Sequence, residues 1–289
     1  MMLRRRTVLL LLAAPLAVYG LLFAGSIAEQ IHASLTGTVT LADPDPGWTT
    51  GQYQLALTDG GFTGIWATTL WLSLVAAVLA TALGAAVSLT LWRAGGRIRT
   101  VMTLIIIAPM LVSSVVRAYG WLTTIGRGGL LSQTATLLGL DAAEIGFGRT
   151  AVIIGLVHVL LPYSVLLILG SLDAINPSTT RAAASLGAGP VRTTLRVVVP
   201  LSAPGLASSL LVTFSLAAAS YSIPTILGGG RVYTIARAIF QESTASFNLP
   251  LAAALSVLLI AGCLTTALAA QRISRRSRDR VERIGLGAV

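Results

Sequence analysis

The stretch RAAASLGAGPVRTTLRVVVP, residues 181–200, is a polar interruption in a chain that is otherwise almost continuously apolar. Its local pattern is helical, because Asn176 is a favourable N-cap, Pro177 suits the first helical position and residues 182–184 are alanines. Gly187 is a natural stop at the C-terminal end of such a helix. Three prolines are expected to open a second short helix and then to redirect the chain into the next apolar run: Pro190, Pro200 and Pro204. The stretch therefore predicts a stiff, small-faced helix that is either a docking element or a solvated connection.

The composition around this stretch places the chain in a membrane. Of the 289 residues, 55% are apolar and 10% are charged, and the mean hydropathy is +0.84. A soluble globule of this length cannot bury that much apolar surface, so we expect lipid to be the solvent. All twenty basic residues are arginines, which excludes enzymes that need a lysine for a phosphate loop or a Schiff base. The net charge of +10 is scattered over the segments between apolar runs, which indicates membrane topology and no nucleic-acid partner.

Six weakly charged stretches are long enough to cross a bilayer as helices. A hydrocarbon core of about 30 Å needs about 20 apolar residues of helix. The predicted spans are residues 7–28, 60–92, 100–116 with an extension past Arg117 toward Ile125, 150–172, 197–230 and 243–271. Each is expected to cross once, and the two longest, 60–92 and 197–230, to run on into an interfacial or loop segment. The segment between Arg127 and Arg149 is too polar and glycine-rich to cross, so we expect a short helix there, at the outer surface or in the mouth of the bundle.

The arginines indicate which side of the membrane each loop faces. With a cytoplasmic N-terminus, fifteen of the twenty arginines fall in cytoplasmic segments, and the first outer loop, residues 29–59, contains none. This bias predicts that both termini, and the loop of residues 176–200, are cytoplasmic. The start MMLRRR and the triplet Ser26-Ile27-Ala28 leave a cleaved signal peptide open. A retained first helix is favoured, because the apolar run exceeds the roughly 7 to 15 residues that are typical of a signal peptide.

Three ordered motifs resemble the inner-membrane permeases of binding-protein-dependent ABC importers, in their spermidine/putrescine-type branch. One is the E-A-A-x-x-x-G loop, which matches RAA at residues 181–183, LGA at 186–188 and VP at 199–200. The others are APM at 108–110 through VRAYGW at 116–121, and IPTILGGG at 223–230. The resemblance covers roughly residues 60–271. It implies an all-α integral membrane protein with the type I ABC importer permease fold and six transmembrane helices in a bacterial inner membrane.

In the resembled family this loop docks into a separate ATP-binding subunit. The resemblance therefore implies that the following residues couple the chain to that ATPase: Arg181, Ala182, Ala183, Leu186, Gly187, Ala188 and Pro200. One position departs from the pattern, because Arg181 stands where the family has a glutamate, and this reverses a charge at the expected interface. Gly187 and its neighbours match the family pattern, so we expect the loop to have the backbone conformation that is typical of the family.

The resemblance also implies that this chain is one subunit of a transporter that contains several different subunits. Residues 1–59 would hold the first transmembrane helix and an outer loop, 60–271 a five-helix core with the coupling loop at 173–203, and 272–289 a basic cytoplasmic tail. The chain would need no cofactor of its own, because ATP and Mg²⁺ would be used by a dimer of ATP-binding subunits. A second permease subunit, a different chain or a copy, would complete the path. A periplasmic or lipid-anchored binding protein would deliver the solute.

The solute is the least determined feature. A polyamine that crosses a low-dielectric path needs carboxylates, and the predicted spans contain none. Five side chains are candidates for lining the path of a polyamine or another small polar organic solute: Ser215, Ser220, Tyr221, Ser222 and His158. Membrane serines also serve close helix packing, and His158 also fits a hydrogen-bonded histidine of the bundle.

Two other classes of function stay open on the sequence. A channel or exporter of similar frame would conduct solute without an ATPase. An intramembrane enzyme would need a nucleophile with a base or a metal cluster, but His158 and Ser164 are six residues apart, on different helix faces, and no HExxH pattern occurs. We therefore expect a transport subunit with no metal site and no catalytic residue.

Overall fold

The fold is almost entirely helical. The computed structural model describes residues 5–38, 47–126, 129–137 and 147–286, and apart from one isolated bridge between Thr36 and Trp48 these contain no β-structure. The helices follow in the order α1 (Arg5–Ser34), α2 (Gly51–Thr58), α3 (Gly60–Arg93), α4 (Gly96–Ile107), α5 (Ser114–Ile125), α6 (Leu130–Leu137), α7 (Arg149–Asp173), α8 (Pro177–Ser185), α9 (Pro190–Thr193), α10 (Val199–Ala218), α11 (Ser222–Leu227), α12 (Ile235–Thr244) and α13 (Leu249–Leu286).

Four of these helical segments are long and apolar enough to cross a membrane. They are Gly60–Arg93, Arg149–Asp173, Pro190–Ala218 and Leu249–Ala269. A fifth span is added if Gly96–Leu111 and Ser114–Ile125, which meet at an angle of 100°, are counted together. The first predicted span, residues 7–28, lies within the 30-residue helix α1. The predicted total of six spans stays a prediction.

Several predicted boundaries were wrong because the helices break at local features. The third span is interrupted by a 3-10 turn at Ala108–Leu111, which contains Pro109. In the fifth run, which was expected to continue into an interfacial or loop segment, α10 ends at Ala218 and the short helix α11 begins at Ser222. The sixth begins at Leu249 and not at residue 243, because the chain first turns at Phe247, whose φ is 53°. Its helix then continues to Leu286, through most of the predicted tail.

Pro190 opens the short helix α9, as predicted, but Pro200 and Pro204 do not redirect the chain. Residues Pro190–Ala218 form one helical run, in which a π-helical segment at Thr194–Val198 joins α9 to α10. Pro200 lies in the first turn of α10 and Pro204 lies inside the helix. The wider π turn immediately before Pro200 accommodates a residue that lacks a backbone donor. The short helix α9 is therefore continuous with the fifth span.

The chain forms two compact units, and the smaller consists of Met1–Thr63 with Ala238–Ile260. Within it, the Ser34 and Tyr53 hydroxyls lie 2.6 Å apart. Gln52 donates through Nε2 to the Thr38 hydroxyl at 3.0 Å, and Thr38 donates to Oδ1 of Asn248 at 3.2 Å. These side-chain bonds tie the segment around α2 to the turn between α12 and α13.

The larger unit, Gly64–Arg237 with Ala261–Val289, is held by close helix contacts at small residues. A Cβ at Gly84 in α3 would lie 2.2 Å from Oγ of Ser164 in α7, and one at Gly205 in α10 would lie 2.3 Å from Cβ of Ser171 in α7. The hydroxyls of Ser164 and Ser209 lie 2.7 Å apart, which links α7 to α10. Small side chains and paired hydroxyls are the means by which helices associate in lipid.

One apolar core of the larger unit brings α5, α7 and α11 together with α3 and α10. Its buried members include Leu72, Ala76, Ala118, Ile125, Val152, Leu156, Leu160, Ala217, Ile223 and Leu227. The fit is tight where α7 meets α11, since a Cβ at Gly155 would lie 2.5 Å from Cδ1 of Leu227. The short helix α11 is thereby fixed against two longer ones, α5 and α7.

Candidate functional site

The coupling loop begins as its sequence predicts. Helix α8 has Asn176 as its N-cap, and the Asn176 Oδ1 accepts a hydrogen bond from the Ser178 amide at 2.9 Å. Pro177 occupies the first helical position, where a missing N–H group costs nothing. The side-chain cap satisfies one of the amides that a helix leaves without a partner at its start.

The end of α8 is a Schellman motif centred on Gly187. The φ angle of Gly187 is +81°, its amide donates to the Ala184 carbonyl at 2.9 Å, and the Ala188 amide donates to the Ala183 carbonyl at 3.1 Å. No heavy atom lies within 4 Å of a Cβ built on Gly187. The glycine is therefore required for its left-handed backbone, not for a close approach.

Three large apolar side chains are exposed on either side of this turn. Leu186, directly before Gly187, is 89% exposed, and Val191 and Leu195 after it are 70% and 63% exposed. Exposed large apolar side chains on a polar segment make it a candidate surface for another protein.

The other predicted coupling residues lie on the same segment. Arg181 is exposed, and its Nε donates to the Pro177 carbonyl of its own helix at 3.4 Å. Ala182 and Pro200 are exposed, whereas Ala183 and Ala188 are half-buried. The structure thus brings six of the seven residues together around α8, with Pro200 at the start of α10.

Two arginines bind residues at the ends of the loop that contains α8 and α9. The sequence analysis used both arginines only to predict the membrane topology. Arg99, near the start of α4, pairs with Asp173 at the end of α7 at 2.5 Å. Arg93, at the end of α3, donates to the Thr194 hydroxyl in the π segment. Both arginines flank the connection between α3 and α4. This connection therefore contacts the loop at Asp173 and at Thr194. The first pair is about 40% exposed, at 35% and 42%, so its contribution is below about 1 kcal/mol.

The predicted pathway residues are divided between two places. The Ser215 hydroxyl donates to the Leu211 carbonyl at 3.0 Å and lies 2.7 Å from the Thr266 hydroxyl, which joins α10 to α13. The remaining three residues of the fifth span lie together, half-buried, where α10 breaks before α11: Ser220, Tyr221 and Ser222. A broken helix frees backbone groups that can face a solute, so this break is the better candidate for the path.

His158 lies in α7 against an aromatic side chain of α5. The imidazole and the Trp121 ring meet edge to face, with centroids 5.5 Å apart and planes at 75°. Its Nδ1 is buried and has no hydrogen-bond partner among the residues that the structure describes. The histidine is thus packed within the bundle, but this nitrogen does not take part in a hydrogen bond there.

Arg117 is a functional candidate that the sequence interpretation missed. It lies in the first turn of α5, directly after the 100° bend, where the sequence predicts an extension of the third span past Arg117. Its Nε and Nη1 are buried without a hydrogen-bond partner among the described residues, and so is the Thr225 hydroxyl in α11. The available signal was an arginine inside an otherwise apolar run, since intramembrane charges are commonly functional.

Residues 82–279 match the family described as the binding-protein-dependent transport system inner membrane component. The chain belongs to this family. As an ABC importer permease it is a transport component and a multi-pass protein of the bacterial inner membrane, in agreement with its four or five apolar spans.

Two curated relatives are permeases that match most of this permease's length. The spermidine/putrescine transport system permease protein PotB of Haemophilus influenzae is 27% identical over 202 residues, which are 68% of this chain and 71% of PotB. The inner membrane ABC transporter permease protein YdcU of Escherichia coli is 26% identical over 275 residues, 87% of this chain and 84% of YdcU. The polyamine-type resemblance seen in the motifs is thus confirmed.

Solved structures show the same fold at low sequence identity. A chain of the bacterial ABC transporter for import of the acidic polysaccharide alginate has a TM-score of 0.75 and 17% identity, with 94% of this permease and 96% of that chain covered. A chain of the inward-facing MetNI methionine ABC transporter has a TM-score of 0.55 and 18% identity, with 73% and 93% covered. The ABC importer permease fold predicted from the motifs is therefore present.

Proposed function

We propose that this permease forms half of the translocation path of an ATP-driven importer and is coupled to a separate ATPase through residues 176–200. The observation that carries the proposal is the geometry of this loop. Its helix is capped at Asn176 and closed at Gly187 by two backbone hydrogen bonds, and Leu186 before this turn and Val191 and Leu195 after it are exposed apolar side chains. A rigid helix with an apolar tip suits insertion into a groove of another protein.

The energy source would lie outside this chain. The sequence has no lysine and hence no phosphate-binding loop of the usual kind, which supports a permease that neither binds nor hydrolyses ATP. ATP and Mg²⁺ would be used by a dimer of ATP-binding subunits. Transmission then depends on the loop, whose ends are held by Arg93 and Arg99.

The topology that suits this role has six spans and two cytoplasmic termini. The arginine distribution supports it, because the loop of residues 176–200 then faces the cytoplasm, where ATP is available. In that arrangement residues 1–59 form the first helix and outer loop, 60–271 the core and 272–289 a cytoplasmic tail.

A second permease subunit and a solute-binding protein would complete the importer. One solved structure with the same fold is a bacterial alginate ABC transporter in complex with a periplasmic protein that carries an alginate pentasaccharide. By analogy with that complex, a periplasmic or lipid-anchored protein would dock on the outer loops of this permease. The second permease would be a different chain or a copy of this one.

The transported solute would be a small polar organic molecule. The relatives named as spermidine/putrescine permeases support a solute of the polyamine type. The hydroxyls of Ser220, Tyr221 and Ser222 at the break after α10 would supply hydrogen bonds along the path. A polycation also needs carboxylates, and between Gly64 and Arg237 the described residues contain only Asp173, which is paired with Arg99.

The proposal is tested by reconstitution of the permease in proteoliposomes with ATP-binding subunits and a solute-loaded binding protein. We expect ATP hydrolysis that rises when the loaded binding protein is added, and none from the permease alone. Solute flux through the permease without any ATPase would instead indicate a channel. Hydrolysis by the isolated chain, free of contaminating ATPase, would contradict the permease function.

A further inference from the structure

We propose that Arg117, with His158 and Thr225, forms a carboxylate-binding site inside this permease. The inference rests on the proposed transport function and narrows it to the chemistry of one group. The three side chains come from α5, α7 and α11, and these helices pack against one another in the apolar core of the larger unit.

The first observation is the state of the Arg117 guanidinium. Two of its three nitrogens, Nε and Nη1, are buried and make no hydrogen bond with any described residue. An arginine keeps its charge under all ordinary conditions, so the site cannot be neutralised by loss of a proton. A buried charge of this kind needs a counter-charge or a set of strong acceptors.

The second observation is that polar atoms on the two helices packed against α5 are also unsatisfied. Trp121 lies one turn after Arg117 on the same face of α5, and the centroids of its ring and of the His158 imidazole are 5.5 Å apart. The buried Nδ1 of His158 and the buried hydroxyl of Thr225 have no partners among the described residues. The helices α5, α7 and α11 thus each contribute a buried polar atom that has no hydrogen-bond partner among the described residues.

The third observation is that the described residues of the segment around Arg117 offer it no free acid. Between Gly64 and Arg237 the described part of the chain contains one carboxylate, Asp173. That carboxylate is paired with Arg99, at the opposite end of α7 from Gly155 and the α11 contact. None of the described residues of this segment therefore supplies the negative charge that the Arg117 guanidinium needs.

A carboxylate fits these groups better than other anions or a cation. The planar guanidinium presents its N–H groups in a fork that matches two carboxylate oxygens, and such charge-assisted bonds are short and strong. The Thr225 hydroxyl supplies a further donor, and a neutral imidazole supplies one through either ring nitrogen. A bare polyamine would be repelled by the same arginine.

Two sources of the carboxylate are compatible with this chemistry. One is the solute, which would then carry a carboxylate besides any amino groups. The other is an acidic side chain of the second permease subunit. Both sources place the same group on Arg117, and they differ in whether the site is filled before the solute arrives.

The binding chemistry is tested with acetate on the purified full-length chain in lipid nanodiscs. Tryptophan fluorescence is titrated with sodium acetate against sodium chloride at constant ionic strength, and the Trp121→Phe variant identifies the signal that comes from the site. We expect a saturable response to acetate that is weakened at least about tenfold in Arg117→Gln, the loss expected for a charge-assisted hydrogen bond, and partly kept in Arg117→Lys. Arg149→Gln is the matched control, because Arg149 lies 5.9 Å over the Trp71 ring and should not change acetate binding.

The source of the carboxylate is identified in the complete transporter, by comparison of the parent permease with the Arg117→Gln variant. If the solute supplies the carboxylate, Arg117→Gln lowers solute uptake and leaves the assembly of the subunits unchanged. If the second permease supplies it, Arg117→Gln lowers co-purification of that subunit in the absence of solute. Equal responses to acetate and chloride, or acetate binding by Arg117→Gln as strong as in the parent, would overturn the site. Binding-protein-stimulated ATP hydrolysis by the parent in the same preparation shows whether the proposed transport function itself stands.

Discussion

The Ala188 amide donates to the Ala183 carbonyl at 3.1 Å and thereby closes helix α8 over Gly187. Because Gly187 has a φ of +81°, the helix ends directly after Leu186, whose side chain is 89% exposed. The direction of the chain beyond α8 therefore depends on a single left-handed residue.

Replacement of Gly187 by valine should impair coupling without harming insertion. A β-branched residue at this φ is strained by about 1–2 kcal/mol, so the turn is expected to change its direction. We expect a loss of binding-protein-stimulated ATP hydrolysis in the reconstituted complex at normal membrane expression. Gly189→Val is the matched control, because Gly189 has a φ of −66° and open space around its Cβ position. Equal losses in both variants would mean that side-chain bulk, not the turn, matters.

Replacement of Arg181 by glutamate should weaken the interface although it restores the residue typical of the family. The Arg181 side chain is exposed and bonds only its own helix, through the Pro177 carbonyl at 3.4 Å, so the fold of this permease should be unaffected. An interface that has accommodated a guanidinium should offer it a carboxylate or several carbonyl groups, and a glutamate there would be repelled. Co-purification of the ATP-binding subunits measures the effect. Unchanged or stronger assembly would show that no such complementary surface exists.

Replacement of Gly84 by alanine should destabilise the helix core. The new Cβ would lie 2.2 Å from Oγ and 2.8 Å from Cβ of Ser164, and overpacking of this kind costs about 1–3 kcal/mol. Gly170→Ala is the control, because Gly170 lies in α7 with no atom within 4 Å of its Cβ position. We expect a lower thermal unfolding temperature in detergent for Gly84→Ala alone, and partial recovery when Ser164→Gly is added. Equal unfolding temperatures for the two single variants would contradict the close approach.

A transporter whose only permease is this chain should fail to import spermidine. The described residues between Gly64 and Arg237 offer no unpaired carboxylate, and an intramembrane polycation needs counter-charges. Uptake of labelled spermidine into proteoliposomes measures this directly, with ATP hydrolysis recorded as proof of an active complex. Robust uptake by such a homodimer would show that hydroxyl and backbone groups alone suffice.

The coupling loop was predictable because helix capping is local. Asn176 and Gly187 act on residues within one turn of themselves, and their sequence positions alone determine the two ends of α8. The positions at which the helices break were harder to predict from the sequence. The end of α10 at Ala218 and the turn at Phe247 lie inside runs whose composition would support a continuous span.

The roles of individual polar residues could not be obtained from the sequence. Ser215 pairs with Thr266, which is 51 residues away, and nothing in the local pattern distinguishes it from the serines at the break after α10. Arg117 could not be recognised as a site residue from the sequence, because only the packing of α5 against α7 and α11 reveals that its Nε and Nη1 are buried.

The most direct test of the coupling role is a cross-link from position 186 in the assembled transporter. The chain has a single cysteine, Cys263, so Leu186→Cys in a Cys263→Ser background carries one thiol for a photoreactive label. We predict a cross-link to the ATP-binding subunit from position 186 and none from Leu104→Cys, whose exposed side chain lies within the apolar run of α4. An ATP-hydrolysing complex that gives no cross-link from position 186 would contradict the docking of residues 176–200 into the ATPase.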